Sequence, residues 1–339
     1  MKRQKTYKMA LVFLAIVLLF SSCNKPPQKA EKIDFAMGTT IFTTYYGDLD
    51  NSDEILNSII EKIKSADLIM SKNNENAEVY KLNHSDDLVL SDTLYNYIKN
   101  SAEIFSHSEN KVSVSSGALT ECWGFDTSEF RVPSNAEILD RKKLCNDNTL
   151  IFDDQNRKIK TEKGQIINLG AVGKGAACDE AVNAFKESGQ KGSLIVSVGG
   201  SVGICGENKR SVGIRNPFAA ENEYFATIEI ENGFVSTSGD YEKTFEKDGK
   251  SYHHILDLTT GYPVDGEITS VTVFSDKGYV SDALSTMCFA LGIEKSCEVL
   301  KLYSSDAVFV KKDKTVVVTQ GLKDLVKITN PDFKLVQYE

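Results

Sequence analysis

Two oxygen-bearing side chains stand four residues apart in an otherwise apolar segment, SDALSTMCFALG (residues 281–292). Its apolar residues recur at helical spacing, so the segment predicts a buried helix with Asp282 and Thr286 on one face. Two interpretations of this pair are open. It is either a solvated edge whose acid suits the positive end of the helix dipole, or a pair of oxygen ligands for a hard cation.

A histidine pair marks a second candidate for chemistry. Two of the four histidines fall in the segment SYHHILDLTTGYPV (251–264), and Asp257 follows His254 by three residues. A histidine near a carboxylate, flanked by glycine turns, suits a loop that handles a proton or contacts phosphate. A purely structural histidine is the alternative that the segment leaves open.

Glycine turns follow two predicted strands, in INLGAVGKGAACDEA (167–181) and SVGGSVGICG (197–206). Free backbone amides at a helix start attract phosphate, and glycine lets a ligand approach the main chain. The spacing G-x-x-G-x-G is neither a Walker loop nor a dinucleotide fingerprint. A tight packing turn therefore remains an equal interpretation.

The elements that must position these residues are a mixture of helices and strands. Amphipathic periodicity predicts helices at 51–71, 92–108 and 173–189; Asn51 and Glu54 have capping-box spacing, and Gly189 ends the third helix. Strands are predicted at 193–200, 224–230, 234–239, 268–275, 306–312 and 314–320. Asn232-Gly233 is expected to join 224–230 to 234–239 as a hairpin. The expected fold class is α+β, with mixed and largely antiparallel sheets.

The N-terminus carries a targeting signal. Four basic residues within the first eight precede the apolar run MALVFLAIVLLF (9–20), and FSSC ends at Cys23. This pattern predicts a lipoprotein signal (1–22), a lipid-bearing Cys23 with a disordered tether (23–32), and one domain (33–339). An uncleaved anchor or a plain secretory signal is the alternative. The expected location is the bacterial cell envelope, lipid-anchored to a membrane and facing the periplasm or exterior.

Charge and cysteine spacing exclude some classes of protein. The formal net charge of −9 becomes −13 once the signal is removed, with 35 basic and 48 acidic residues. Such an acidic chain argues against nucleic-acid binding. The six later cysteines show no metal-finger spacing, and Cys178, Cys205 and Cys288 fall in apolar runs typical of small core residues.

Seven segments together carry a family resemblance: AMGTT, SGALTECWGF, NLGAVGKGAACD, VSVGG, VGIRNP, STSGDYEKTFEKDGKSYHHILDLTTGYPV and SDALSTMCFALG. In order and spacing, from about Phe35 to Leu291, they resemble the ApbE family of FAD:protein FMN transferases. The resemblance implies an ApbE-like, T-fold-related architecture. It also implies Mg²⁺-dependent cleavage of FAD, transfer of FMN to a threonine or serine hydroxyl of a partner protein, and release of AMP.

The resemblance assigns roles to individual residues. It implies metal ligation by Asp282, Thr286 and the main-chain carbonyl of Ala171, which favours the cation interpretation of the opening helix. Implied contacts with FAD are Met37, Asn73, Ala118, Leu119, Thr120, Asn168, Lys174 and the loop around His254. The acceptor hydroxyl needs a base, for which His254 is the candidate, with Asp257 or Asp240 orienting it; His254 as a cation on phosphate is the alternative.

Two positions depart from the family pattern and keep other functions open. Members usually have aspartate where Asn168 stands, and often tyrosine, able to stack on flavin, where Asn73 stands. Some members with asparagine there resemble FAD hydrolases. An exported FAD pyrophosphatase releasing FMN and AMP is therefore one alternative, and a non-catalytic flavin-binding lipoprotein is another. The expected acceptor is a subunit of a membrane redox complex or an exported flavoprotein.

Overall fold

The computed structural model describes residues 28–85, 87–127, 129–220 and 223–338. The predicted signal and Cys23 lie outside these ranges. Within them, none of the helices combines the length and apolarity needed to cross a membrane.

Helices and strands alternate irregularly along the chain. The helices are α1 (Ser52–Met70), α2 (Glu78–Asn83), α3 (Asp92–Ser106), α4 (Gly117–Trp123), α5 (Asn135–Lys142), α6 (Gly173–Glu187), α7 (Gly278–Leu291) and α8 (Ile293–Leu302). The strands are β1 (Lys29–Ala36), β2 (Thr39–Tyr46), β3 (Ile151–Asp153), β4 (Lys158–Lys160), β5 (Ser193–Val198), β6 (Ser201–Gly206), β7 (Arg210–Arg215), β8 (Tyr224–Ile230), β9 (Gly233–Gly239), β10 (Thr244–Lys247), β11 (Lys250–His253), β12 (Leu256–Asp257), β13 (Tyr262–Pro263), β14 (Ile268–Ser275), β15 (Asp306–Lys311), β16 (Thr315–Val318), β17 (Lys327–Ile328) and β18 (Lys334–Gln337).

The main sheet runs in the order β1-β2-β5-β6-β9-β14-β15-β16-β18, and its strands pair antiparallel except for β16 with β18. Helices α1, α6 and α7 pack on one face of it. Side chains alternate along each strand, so β15 sends Phe309 towards the helices and Val308 and Val310 to the opposite face. The mixed, largely antiparallel α+β prediction is confirmed.

A small sheet, β17-β8-β7, packs its apolar residues with those of β15 and β16. This pairing contradicts the predicted hairpin between 224–230 and 234–239. Strand β8 pairs with β7, whereas β9 pairs with β6 and β14. Phe225 and Ile228 are buried in the second core, so the turn at Asn232-Gly233 carries the chain from one sheet to the other.

Helix α4 and the hairpins β10–β13 share an aromatic cluster around Trp123. The Trp123 ring lies 5.5 Å from Tyr252 and 5.6 Å from Tyr262, and its Nε1 donates to the Gly261 carbonyl at 2.9 Å. A buried indole N–H usually finds such a partner. This cluster fixes the histidine loop against α4.

Three predicted helices are present as α1, α3 and α6, but two local predictions are wrong. Asn51 precedes α1 without a side-chain cap, and the capping box is instead made by Ser134 and Glu137 at α5. The predicted disordered tether (23–32) overlaps the sheet, because Lys29–Lys32 pair with Thr43–Tyr46 as the first half of β1.

Candidate functional site

Three sheet turns meet at one edge of the main sheet. The turn after β1, the glycine turn after β5 and the end of β9 are joined there by backbone hydrogen bonds. Gly199 N donates to the Thr40 carbonyl at 3.3 Å, and Thr237 N donates to the Gly200 carbonyl at 3.0 Å. The predicted glycine turn thus lies between β2, which follows Met37, and β9, which carries the Thr286 partner Ser238.

The N-terminus of α6 lies over this edge. A β-carbon on Gly199 would come within 3.3 Å of Lys174 Cδ, so the lysine stem crosses the glycine turn. Met37 adopts a left-handed conformation (φ 54°), and its amide donates to Asp67 Oδ2 at 3.0 Å. The Met37 Cε lies 3.2 Å from where a β-carbon on Gly173 would stand. Met37 and Lys174 therefore flank the same helix start.

Asp282 is buried on α7 and points at the start of α6. Its Oδ2 accepts a hydrogen bond from Gly175 N at 2.9 Å. Gly175 is the third residue of α6, so its amide has no carbonyl partner within the helix. The Asp282 carboxylate on the neighbouring helix caps that amide. Ala171 lies two residues before α6, and the family resemblance alone implies its carbonyl as a metal ligand.

Thr286 lies one turn beyond Asp282 on the same helix. Its hydroxyl is 3.1 Å from Ser238 Oγ at the end of β9, and Ser238 is also 2.7 Å from Ser285 Oγ. A carboxylate, a hydroxyl and a main-chain carbonyl form a hard-oxygen donor set that fits Mg²⁺, which takes few protein ligands and keeps several waters. In the described ranges, groups of three or more His, Cys, Asp or Glu side chains placed to hold a metal ion are absent, so Asp282 is the one carboxylate of this donor set.

The contacts implied on α4 differ in burial. Ala118 and Leu119 are almost wholly buried, whereas Thr120 is half-buried. Thr120 Oγ1 accepts from Asn168 Nδ2 at 3.1 Å, while Asn168 Oδ1 accepts from Gly170 N at 2.9 Å. Asn168 therefore ties α4 to the glycine turn, through one donor that an aspartate would lack.

Asn73 is held at the rim of α4 by polar contacts. Its Nδ2 donates to the Asp126 carbonyl at 3.4 Å, and its Oδ1 accepts from Lys72 Nζ at 3.2 Å. Lys72 also lies 2.9 Å from Glu121 and 3.2 Å from Asp126, with only 7% of its side chain exposed. The sequence reasoning missed Lys72, since a lone surface-type lysine carries no spacing signal.

His254 is held in one tautomer. Its Nδ1 is 2.9 Å from the Glu242 carbonyl, which can only accept, so Nδ1 carries the proton and Nε2 keeps a lone pair. Burial, with the nearby charges of Lys243 and Lys174, lowers the pKa of His254 to about 3. A neutral ring whose Nε2 keeps a lone pair suits a hydrogen-bond acceptor, although a pKa lowered this far makes it a weak base. It argues against the alternative of a cationic phosphate contact.

The predicted orienting carboxylates lie elsewhere. Asp257 accepts from Thr259 Oγ1 at 2.6 Å and Lys111 Nζ at 3.0 Å. Burial alone would raise the pKa of Asp257, but these partners outweigh it and hold it below its usual value. Asp240 accepts from Thr269 Oγ1 at 2.6 Å. The prediction that either aspartate orients His254 is therefore wrong. Both carboxylates bond to other side chains, and the Glu242 carbonyl orients the His254 ring instead.

Comparisons with known proteins bear on the family and the fold of this chain. The family model described as "ApbE family" matches residues 37–309. A Klebsiella pneumoniae protein named FAD:protein FMN transferase is 30% identical, covering 84% of this chain and 89% of its own. A Treponema pallidum protein of the same name is 26% identical over 99% of both chains. The crystal structure of the ApbE protein of Thermotoga maritima superposes with a TM-score of 0.79 at 29% identity, covering 87% of this chain and 98% of that one.

Proposed function

This chain belongs to the ApbE family, and we propose that it transfers FMN from FAD to a serine or threonine hydroxyl of a partner protein, releasing AMP with Mg²⁺ as cofactor. The observation that carries this is the placement of Asp282. Its carboxylate is buried at the start of α6, where Oδ2 accepts from Gly175 N, and the Thr286 hydroxyl lies one turn further along the same helix, beside Ser238.

Asp282, Thr286 and the Ala171 carbonyl would hold the metal. A divalent cation there supplies charge neutralisation to a pyrophosphate. The residues of the chain do the rest by positioning: the Lys174 side chain crosses the Gly199 turn and adds a cation there. This positive charge favours a phosphate-rich substrate at this edge.

The transfer step has a defined balance of bonds and protons. The acceptor oxygen attacks the phosphorus of the FMN half, and the bond from that phosphorus to the AMP oxygen breaks, so AMP leaves with the electron pair. The hydroxyl proton passes to a base. His254 Nε2 is the candidate for this role, because Nδ1 donates to the Glu242 carbonyl and leaves Nε2 with a lone pair, although burial makes the ring a weak base.

Hydrolysis of FAD is the second candidate function, and Asn73 favours it. The asparagine offers no aromatic face for the flavin and is held by Lys72 and the Asp126 carbonyl. A flavin without a stacking partner is bound more loosely, since stacking on an aromatic ring is worth roughly 1–3 kcal/mol in nucleic-acid cases. Water could then replace the acceptor hydroxyl.

The partner and place of action follow from the sequence. An acidic chain with a lipoprotein-type signal suits an envelope protein anchored at Cys23, acting on an exported or membrane-bound flavoprotein. Cys23→Ala should give a protein that lacks lipid but still cleaves FAD. If that variant still partitions into detergent after signal cleavage, the anchor is wrongly assigned.

The test of function follows AMP from FAD and Mg²⁺ with and without a candidate acceptor. The transferase releases AMP in step with flavin on the acceptor, a hydrolase releases AMP without it, and a binding protein releases none. Asp282→Asn should abolish release. Asp276→Asn is the matched control. It removes the same charge, but from an exposed residue just before α7.

A further inference from the structure

Helices α6 and α7 approach each other with backbone against backbone. A β-carbon on Gly175 would stand 2.0 Å from the Gly278 carbonyl oxygen, and one on Gly278 would stand 2.1 Å from the Gly175 carbonyl oxygen. Only glycine permits this contact on either helix. The crossing point is therefore nearly symmetric.

Each helix also carries an aspartate four residues after its crossing glycine. Asp282 on α7 accepts from Gly175 N of α6, while Asp179 on α6 accepts from the first amides of α7. Those two bonds run from Gly278 N to Asp179 Oδ1 at 2.7 Å and from Tyr279 N to Asp179 Oδ2 at 2.8 Å. The same pattern, G-x-x-x-D, thus occurs once on each helix, and each carboxylate holds the other helix's N-terminus.

The sheet repeats the same arrangement. Along the chain, α6 is preceded by the pair β1–β2 and followed by β5–β6, and α7 is preceded by the pair β9–β14 and followed by β15–β16; in the sheet, α6 packs on β5 and β6, and α7 packs on β9 and β14. Two units of the same construction therefore share one sheet, with the glycine crossing between them. In the sequence, the repeated construction is visible only as the pattern G-x-x-x-D, which is too short to indicate a repeat by itself.

The two aspartates differ in what they leave for a ligand. Asp179 uses both oxygens on α7 amides, whereas the described bonds of Asp282 use only Oδ2. The position four residues after Asp282 is Thr286, close to Ser238, but the matching position on α6 is the exposed Asn183. Both aspartates cap a helix, but the described bonds leave only Asp282 with a carboxylate oxygen, Oδ1, for a ligand.

Resting on the function proposed above, we infer that Asp179 is a positioning residue that fixes the height and rotation of α7 and so places Asp282 and Thr286 at the metal site. The first two amides of α7 have no intrahelical partner, and an anion there also meets the positive end of the helix. Asp282 lies one turn further on. Without Asp179 the first turn of α7 loosens, and the Asp282 carboxylate moves with it.

The environment of Asp179 makes this capping specific. The residue is 8% exposed, and burial raises its pKa to about 6 despite the two amide bonds. Charged and titratable groups facing it are Glu180 on its own helix, Lys277 just before α7, Tyr279 on α7, and Tyr97 on α3. Glu180 accepts from Tyr97 at 3.0 Å, so it packs against α3 and not the start of α7.

The test compares Asp179→Asn with Glu180→Gln. Both remove one negative charge from adjacent residues, but only the first places an amide N–H₂ against the α7 amides. Mn²⁺ binding to the free enzyme is measured by electron paramagnetic resonance, and the Mg²⁺ dependence of FAD cleavage is measured beside it. We expect Asp179→Asn to weaken Mn²⁺ binding about 10-fold or more, the range for residues that orient metal ligands. Activity should return at high Mg²⁺.

The control should bind Mn²⁺ as the wild type does. Equally weakened Mn²⁺ binding in both variants would mean that the lost net charge causes the effect. Unchanged Mn²⁺ binding in folded Asp179→Asn would mean that Asp179 only stabilises the fold. Either result overturns the inference. If Asp179→Asn does not fold, Asp179→Glu keeps the charge but pushes the α7 amides, and the same titration decides. A wild type that binds no Mn²⁺ and releases no AMP would contradict the proposed function instead.

Discussion

Replacing Gly175 by alanine tests whether the crossing of α6 and α7 sets the site. The added methyl would stand 2.0 Å from the Gly278 oxygen and 2.7 Å from Asp282 Cβ, whereas ordinary contact begins at 3.4 Å. Neither neighbour is the end of a flexible side chain. The helices must separate by about 1 Å or more, and the hydrogen bond from Gly175 N to Asp282 stretches with them.

The cost can be estimated from three effects. Overpacking costs about 1–3 kcal/mol, and backbone partners put this site at the upper end. Losing a hydrogen bond to a buried carboxylate costs about 1.5–3 kcal/mol. Alanine returns about 1 kcal/mol of helix propensity. The free energy of unfolding should fall by roughly 3–5 kcal/mol, which lowers Tm by on the order of 10 °C.

The assay is thermal unfolding of Gly175→Ala beside Gly173→Ala, with Mn²⁺ binding measured on both. The control adds its methyl in the same helix, but against the flexible ends of Met37 and Met70, at 3.2 and 3.8 Å. It should change the free energy of unfolding by less than about 1 kcal/mol. If Gly175→Ala unfolds like the control and binds Mn²⁺ normally, the close approach is not what places Asp282.

Three further predictions concern the site itself. Asp282→Asn should keep the fold but lose FAD cleavage at every Mg²⁺ concentration, as followed by AMP release; activity comparable to Asp276→Asn would contradict the ligand assignment. Asn73→Tyr should retain FAD through purification and hydrolyse it more slowly, which flavin absorbance and acceptor-free AMP release will measure; no change in either makes Asn73 a bystander. The ring of His254 should stay neutral from pH 7 down to about pH 4 in an NMR titration, because burial lowers its pKa to about 3. Since the unfolded ring binds a proton below about pH 6.5 and the folded ring does not, His254 should lower the free energy of unfolding as the pH falls from about 6.5 towards 3. Titration of the folded ring near pH 6.5 would contradict the burial argument.

Local patterns predicted the elements well, because periodicity and turn residues act over short distances. Helix α7 was predicted from apolar spacing, and Asp282 with Thr286 was recognised as a pair on one face. The hairpin through Asn232-Gly233 was wrong, since the choice between two sheets depends on the packing of β8 against Val308, Val316 and Phe333, which lie far along the chain. A turn signal carries no such information.

Side-chain partners were predicted less well than elements. Asp257 was expected near His254 because three residues separate them, yet its carboxylate turns towards Thr259 and Lys111. The sequence did not indicate a role for Asp179, because its hydrogen-bond partners begin about 100 residues later, at Gly278. The family resemblance implied site residues by their positions in the motifs. It did not indicate that α6 and α7 each cap the N-terminus of the other with an aspartate.

Transfer of flavin to a protein is tested most directly by the intact mass of a candidate acceptor after incubation with this chain, FAD and Mg²⁺. The account predicts a gain of one FMN less one water, confined to a single serine or threonine, and one AMP released for each modified molecule. Replacing that hydroxyl residue by alanine should leave the acceptor mass unchanged. AMP accumulating while the acceptors supplied keep their mass would contradict transfer and identify the activity as hydrolysis.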